Sequence, residues 1–308
     1  MRELTIQKND ANQRLDKFLF KYLANAPQSL IYKGIRKGRI KVNGKKSDIA
    51  YKLQLGDKLE LYLNDEIFEK SVGHSERSEE TLRFFASLKM TLDIVYEDEN
   101  ILIANKPAGL LVHEDTNEKR HTLINYINAY LYQKGEYRPE AEHSFTPALC
   151  HRIDRNTAGL VIAAKSAEAL RVINDKIKHR EIDKFYLAKV IGKILPSSGK
   201  LTHYLFKDSK QNRVYVYDNS KIGTQKAVSR YKTIKSDDKN SLIEVELISG
   251  RTHQIRAQFS HIGHPLAGDG KYGGGRGYQQ LLAYKLVFNF TTPAGDLEYL
   301  RGLTIEVK

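Results

Sequence analysis

Between Ile101 and Val307 the sequence keeps returning to one kind of segment, a short apolar stretch rich in β-branched residues and bounded by polar loops. Ile101 to Ala104, Leu160 to Ile162, Tyr186 to Ile191, Val214 to Tyr217, Leu242 to Ile248, Leu286 to Phe290 and Leu303 to Val307 all read as strands. Two helical patterns separate them: Ser166 to Lys178, with Leu170, Ile173 and Ile177 inward, and Thr252 to His261, with Ile255 and Phe259 inward. A doubly wound parallel sheet needs far more crossover helices than that. The pattern therefore predicts an α+β fold built on a mixed, largely antiparallel sheet.

A chain of 308 residues suggests two folded units. No run of ~18 apolar residues offers a membrane span, and Met1-Arg2-Glu3-Leu4-Thr5 lacks the apolar core of a signal peptide, so the expectation is a cytoplasmic protein with no membrane partner. Cys150 is the only cysteine, which excludes an internal disulfide, a thiolate zinc cage and a Cys-x-x-Cys pair. It reads as a small packing residue.

The formal charge of +13 favours an anionic partner such as nucleic acid, and its distribution is the sharper clue. Met1 to Leu63 holds fourteen Lys or Arg against six Asp or Glu, and Ser29 to Ser47 has seven cations and no acid. Leu15, Phe18, Leu19, Tyr22 and Leu23 share one helical face; Ser29 is placed to cap a second helix that Gly38 ends; Asn43-Gly44 predicts a tight hairpin. From Asn64 to Met90 the composition turns acidic and the period is lost, with one short helix expected near Leu82 to Leu88. The division expected is 1–63, a linker over 64–90, and 91–308.

Chemistry concentrates in His151-Arg152-Ile153-Asp154-Arg155-Asn156-Thr157-Ala158-Gly159, a polar loop that runs directly into an apolar strand. Alone, Asp-x-x-Thr before glycine could be an ordinary turn. Three other segments could surround it: Asn105-Lys106-Pro107-Ala108-Gly109, Lys184-Phe185-Tyr186, and Gly250-Arg251-Thr252-His253-Gln254-Ile255-Arg256 followed by His261 to Asp269. On a helix, His253 and Arg256 share a face. A guanidinium beside a carboxylate fixes its position and favours its charge, which a carboxylate nucleophile requires.

From about Leu92 onward these segments resemble the RluA-type pseudouridine synthases, and Gly250 to Arg256 matches the family's late motif letter for letter. Arg14 to Leu19, Ile35 to Gly44 and Leu55-Gly56-Asp57 resemble the small RNA-binding domain first described in the fourth ribosomal protein of the small subunit, and with Pro27 to Tyr32 the N-terminal part looks most like the RluC branch. The resemblance implies isomerisation of chosen uridines in large-subunit ribosomal RNA to pseudouridine, without cofactor or metal, by a protein expected to be a monomer. It implies Asp154 as nucleophile or base, Arg256 as its partner, Tyr186 against the uracil ring, and Arg152 entering the RNA stack where the target base has left. Arg14, Lys33, Arg36, Lys37, Arg39, Lys41 and Lys45 are the cations expected on RNA. His151 and His253 read as structural. One departure, Leu281-Leu282-Ala283 where the family often has Leu-His-Ala, is placed away from the matched segments.

Two other classes compete. A metal-dependent hydrolase would use His253, His261 and His264 near Asp269, but the spacing fits no common ligand pattern. A non-catalytic RNA-binding or ribosome-assembly factor would need only the basic N-terminal part. A nucleotide-driven enzyme is disfavoured, since Gly38, Gly44 and Lys45 have one residue too many for a phosphate-binding loop.

Overall fold

The computed structural model describes residues 1–71, 81–88 and 91–307, and these divide into two compact units. The first comprises Met1–Met90, Tyr126–Pro147 and Lys165–Glu168; the second comprises Thr91–Asn125, Ala148–Ala164 and Ala169–Lys308. The linker expected over 64–90 lies partly outside the described residues. Of what is described there, 81–87 (α4) is the short helix expected near Leu82 to Leu88, and Asp65–Ser71 (α3) is a helix beyond that expectation.

In the first unit, β1 (Arg2–Thr5), β2 (Ile40–Val42), β3 (Lys45–Lys46) and β4 (Lys58–Leu61) form an antiparallel sheet in the order β1-β4-β2-β3. Helix α1 (Leu15–Tyr22) buries Leu15, Phe18 and Leu19, and α2 (Gln28–Arg36) buries Ile31 and Ile35, in a core with Ile40, Leu53, Leu59 and Leu61. The spacing of apolar positions thus produces the helices and their buried faces together. Pro27, not Ser29, occupies the N-cap of α2, since its ring already holds φ at −57°. At the other end Gly38, at φ 68°, donates to the Ile35 carbonyl and Arg39 to that of Gly34, which closes the helix with a left-handed residue. Asn43 and Gly44, both at positive φ, make the two-residue hairpin.

Tyr126–Pro147 joins this unit through a buried carboxylate. Asp10, 1% exposed, accepts from Ser144 Oγ at 2.7 Å and contacts His143 Nδ1 at 2.8 Å, while the Asn9 amide donates to Glu142.

The second unit is one eleven-stranded sheet. Along its main path the order is β11-β10-β12-β13-β9-β14-β8-β6-β5, with β15 on β14 and β7 on β8. The strands are β5 (Ile94–Glu97), β6 (Ile101–Lys106), β7 (Ala148–Leu149), β8 (Ala158–Ala164), β9 (Ile182–Ile191), β10 (Ser198–Asp208), β11 (Arg213–Tyr217), β12 (Gln225–Ser236), β13 (Asn240–Leu247), β14 (Leu281–Phe288) and β15 (Thr304–Glu306). Every pairing is antiparallel except that of β14 with β8, so the mixed α+β sheet expected from the sequence is what forms. Helices α6 (Ala167–Lys178) and α7 (Gln254–His261) accompany it, while α5 (Leu123–Gln133) runs for most of its length, from Tyr126 on, in the first unit. The short strands β1, β5 and β7 escape the sequence pattern, and three longer elements do so for a physical reason. β10 and β12 expose one face and carry lysines and hydroxyl residues along it, and α5 has apolar residues on most of its circumference. Among the described residues no helix is long and apolar enough to cross a membrane.

The parallel contact brings β8 so close to β14 that a Cβ on Gly159 would lie 2.2 Å from the Ala283 carbonyl oxygen, and Gly159 adopts φ 116°. Gly159→Ala is expected to cost about 2–3 kcal/mol through overlap and backbone strain. An unfolding midpoint in urea equal to that of the unmodified protein would contradict this. A second outcome concerns pH. The hydrogen bond that His143 donates to Asp10, acting against partial burial and aided by the charges of Asp10 and Glu142, raises the His143 pKa above its ordinary 6.5. Its charged form is therefore favoured by folding, so this contribution to stability is complete below about pH 6.5 and lost as pH rises through the elevated folded value. His143→Gln should flatten that limb of the thermal midpoint against pH.

Candidate active site

Asp154 lies in the loop between β7 and β8, where Thr157 N–H donates to its carbonyl at 3.0 Å. Two sets of bonds brace this loop. The Lys106 ammonium, fully buried, donates to the carbonyls of Pro107, Leu110 and Arg155 at 2.8, 2.8 and 2.9 Å. Gly109 N–H also donates to Arg155 O, and Arg155 Nε returns a bond to Gly109 O. The Asn-Lys-Pro-Ala-Gly turn is thus a clamp on the backbone next to the aspartate. Burial lowers the Lys106 pKa to about 8 against the opposing pull of Asp154. On the other side of the loop, His151 Nε2 accepts Ile162 N–H at 3.2 Å, and burial with the nearby Lys184 charge lowers its pKa to about 3. It is a neutral packing residue. Cys150 is buried beside it, its thiol pushed up to about 12 by desolvation.

Arg256, on the first turn of α7, donates through Nη1 to Asp154 Oδ2 at 2.8 Å. Its Nε and Nη2 donate to Asp269 at 2.6 and 3.0 Å. One guanidinium therefore holds two carboxylates, and the second of them, 1% exposed, has no access to water. Burial opposes the arginine's charge, but the bonds and charges of Asp269 and Asp154 outweigh it and raise its pKa. Asp269 is presented by a turn closed by Gly268 and Gly274, and a Cβ on Gly274 would meet the Leu266 carbonyl oxygen at 1.7 Å.

His253 departs from the helical placement expected for it. It stands before α7 at φ 50° and ψ 21°, in the left-handed region, yet its Nε2 still comes within 3.9 Å of Asp154 Oδ2. Tyr272 Oη accepts Val214 N–H at 2.9 Å and lies 2.9 Å from His253 Nδ1, which fixes the orientation of the imidazole ring. Desolvation lowers the His253 pKa to about 4 despite Asp154. The neutral imidazole thus turns Nε2 toward the carboxylate oxygen that Arg256 already holds. Asp154 Oδ1 takes no hydrogen bond from the described residues. Sequence reading missed Asp269 and Tyr272 as parts of this network. Their one signal was Gly268-Asp269-Gly270-Lys271-Tyr272, a glycine-bounded turn downstream of the matched motif.

Tyr186, on β9, is buried, and desolvation together with the Asp154 charge raises its phenol pKa well above the ordinary value. These groups line a cavity of about 660 Å³, whose wall includes Asp154, Thr157, Tyr186, His253, Arg256 and Leu281. Its rim is basic, with Arg152, Lys178, Arg180, Lys184, Arg230 and Arg251. Leu281-Leu282-Ala283 is not remote from the site as expected. Ala283 is in register with Tyr186 on one side and Gly159 on the other, because β14 runs between β9, which holds Tyr186, and β8, which follows the Asp154 loop.

The histidines grouped as possible metal ligands do not converge. His253 binds Tyr272, His264 Nδ1 meets the Ile191 carbonyl, and His261 meets Asp218 at 2.9 Å. His203, Asp218 and His261 do gather. In that trio Gln258 Nε2 lies 3.2 Å from His203 Nδ1 while its oxygen accepts from Ser229, which leaves the proton on His203 Nε2, the nitrogen nearer Asp218.

Of the cations expected on RNA, Lys33, Arg36, Lys37, Arg39 and Lys45 are exposed on and around α2 and β3, and Lys41 is half-buried with its ammonium 5.2 Å from the Tyr62 ring. Arg14 differs, since Nε and Nη2 both bond the buried Asp16. Arg152 is exposed.

Removing the guanidinium would leave Asp269 as an uncompensated buried charge. Arg256→Ala is therefore expected to destabilise the protein by about 3–5 kcal/mol as well as impair its chemistry. Denaturant unfolding checks this, and a loss below 1 kcal/mol would mean that Asp269 is held by other groups.

Residues 100–261 match the RNA pseudouridylate synthase family, and residues 13–59 match the S4 domain. The chain is 33% identical over 300 residues to the ribosomal large subunit pseudouridine synthase C of Vibrio parahaemolyticus, covering 94% of this chain and 89% of the relative. It is 31% identical over 310 residues to the protein of the same name in Escherichia coli K12, covering 97% and 91%. An uncharacterized RNA pseudouridine synthase of Mycoplasma capricolum is 33% identical over 318 residues, covering 99% and 97%. Among solved structures, human RNA pseudouridylate synthase domain containing 4 shares the fold, with a TM-score of 0.56 at 20% identity over 77% of this chain and 92% of that one. With the family matched over more than half its length and such relatives spanning nearly all of it, the chain belongs to the RNA pseudouridylate synthases, isomerases of the RluA type that carry an S4 domain.

Proposed function

We propose that this enzyme converts chosen uridines of large-subunit ribosomal RNA to pseudouridine with Asp154 as the essential group and no cofactor. The observation that carries the reading is the Asp154–Arg256–Asp269 network, set in a basic-rimmed cavity that Tyr186 walls. The reaction breaks the N1–C1′ bond, turns the uracil, and joins C5 to C1′; the C5 proton is lost and N1 ends protonated, so nothing is consumed. Such a reaction asks the protein for a positioned nucleophile or base and for a pocket that holds a detached base in place. Arg256 anchors Oδ2 and leaves Oδ1 for the substrate.

Tyr186 remains a phenol, which suits ring packing on the uracil and hydrogen-bond donation. Arg152 serves as the planar cation that fills the gap left by the everted nucleotide, since base eversion costs a few kcal/mol and a stacked guanidinium restores part of it. The N-terminal segment 1–63 docks RNA through Lys33, Arg36, Lys37, Arg39, Lys41 and Lys45, with Arg14 acting through Asp16 to order α1, and 91–308 carries the chemistry. The similarity to synthases named for the ribosomal large subunit supports that RNA as the substrate.

Mapping pseudouridines in ribosomal RNA from cells with and without the gene tests the whole reading; identical maps would favour a non-catalytic RNA-binding factor. Asp154→Asn should keep RNA affinity within about twofold and lower tritium release from 5-tritiated uridine by about 10³-fold or more. Measurable turnover near the unmodified rate would remove Asp154 from its central role. Replacing Arg36, Lys37 and Arg39 with alanine should reduce the slope of log affinity against log salt by about 0.7–0.9 for each phosphate no longer neutralised. An unchanged slope would place the RNA elsewhere.

A further inference from the structure

The hairpin of β10 and β11 has two faces of different chemistry. Leu205, Val214 and Val216 turn inward and cluster with Ala227, Ala257 and Tyr272. On the opposite face the antiparallel register sets Tyr204 against Tyr217 and Phe206 against Tyr215, so four aromatic rings share one outward surface. Phe206 and Tyr215 are 40% and 38% exposed. β11 lies at the edge of the sheet.

Cations are set among these rings. The Lys221 ammonium is 4.0 Å from the Tyr217 centroid, and Lys226 is the β12 partner of Tyr204. Residues 198–230 hold seven Lys or Arg and two Asp, so a second copy of the same face would be repelled. The surface also reaches the cavity. Arg230, which faces outward on β12 with Lys226, borders the cavity, and Arg251, another rim residue, donates through Nε to the Lys226 carbonyl.

Aromatic rings interleaved with cations are how proteins hold unpaired bases, because every base has a stackable face and every phosphate a charge. We propose that this face is a stacking platform for unpaired nucleotides flanking the target uridine, an inference that rests on the RNA-modifying reading above. It places one flank of the substrate strand along β12, from the cavity rim at Arg230 and Arg251 to the aromatic edge.

The test uses the full-length protein and a ribosomal RNA fragment that contains a modified uridine with single-stranded flanks. Phe206→Ala/Tyr215→Ala should raise KM roughly 5- to 100-fold at unchanged kcat. The slope of log KM against log salt should stay the same, since removing a stacked ring changes no counterion release. The conservative pair Phe206→Tyr/Tyr215→Phe should retain the original KM. In the unmodified protein, 5-iodouridine placed in the flank should photocross-link to residues 204–217, a readout that does not depend on any variant's folding. Unchanged KM together with cross-links elsewhere would overturn the platform while leaving the synthase reading intact. Absence of pseudouridine formation by the unmodified protein on any ribosomal RNA would instead overturn the synthase reading. A change from dimer to monomer on sedimentation of the double variant, with KM unchanged, would show that another copy covers the face and would likewise overturn the platform.

Discussion

The site depends on a guanidinium divided between two carboxylates. Arg256 gives two of its N–H groups to Asp269, which is sealed from water, and one to Asp154, which faces the cavity. A lone arginine–aspartate pair at a cavity wall could rotate or be pulled apart by an arriving phosphate. The bidentate bond to Asp269 removes that freedom, because moving Arg256 would strand a buried charge. What reaches Asp154 is a donor already fixed in direction, so the carboxylate is held at Oδ2 and presented at Oδ1.

The same economy of freedom recurs in the backbone. Lys106 uses all three ammonium protons on carbonyls of two loops, and so ties the Asn-Lys-Pro-Ala-Gly turn to the residue after Asp154. His253 is kept in a left-handed conformation while Tyr272 holds its Nδ1 at hydrogen-bond distance. Gly159 allows β8 and β14 to approach more closely than any side chain would permit. Each of these stores local cost at the site and draws on surrounding packing to hold it. Cations stay exposed on α2 and across β12, where Arg230 is paired with Glu246.

Fold class was legible in the sequence because seven apolar stretches with too few helices between them admit little besides an antiparallel-rich sheet. Of the elements it concealed, β10, β12 and α5 are the long ones, whose residue pattern is set by a solvent-facing side or by apolar residues all round, and neither pattern has a diagnostic period. The motif of Asp154 and the matched segment ending at Arg256 pointed to the two groups that the structure joins by a hydrogen bond. Asp269 and Tyr272 were obscured, since a conventional turn and an ordinary aromatic have no local signature of function.

The sequence alone determined the kinds of group available: one cysteine, a basic N-terminal stretch, a carboxylate between arginines, and an arginine on an amphipathic helix. Those are local properties, fixed by composition and spacing. Tertiary structure alone decided that Asp269 joins the expected pair of Asp154 and Arg256, that Leu281 lines the cavity wall, and that four aromatics from two strands share a face. Each of these follows from strand register and helix docking, which bring together residues as much as a hundred positions apart and so have no counterpart in any short window of the chain.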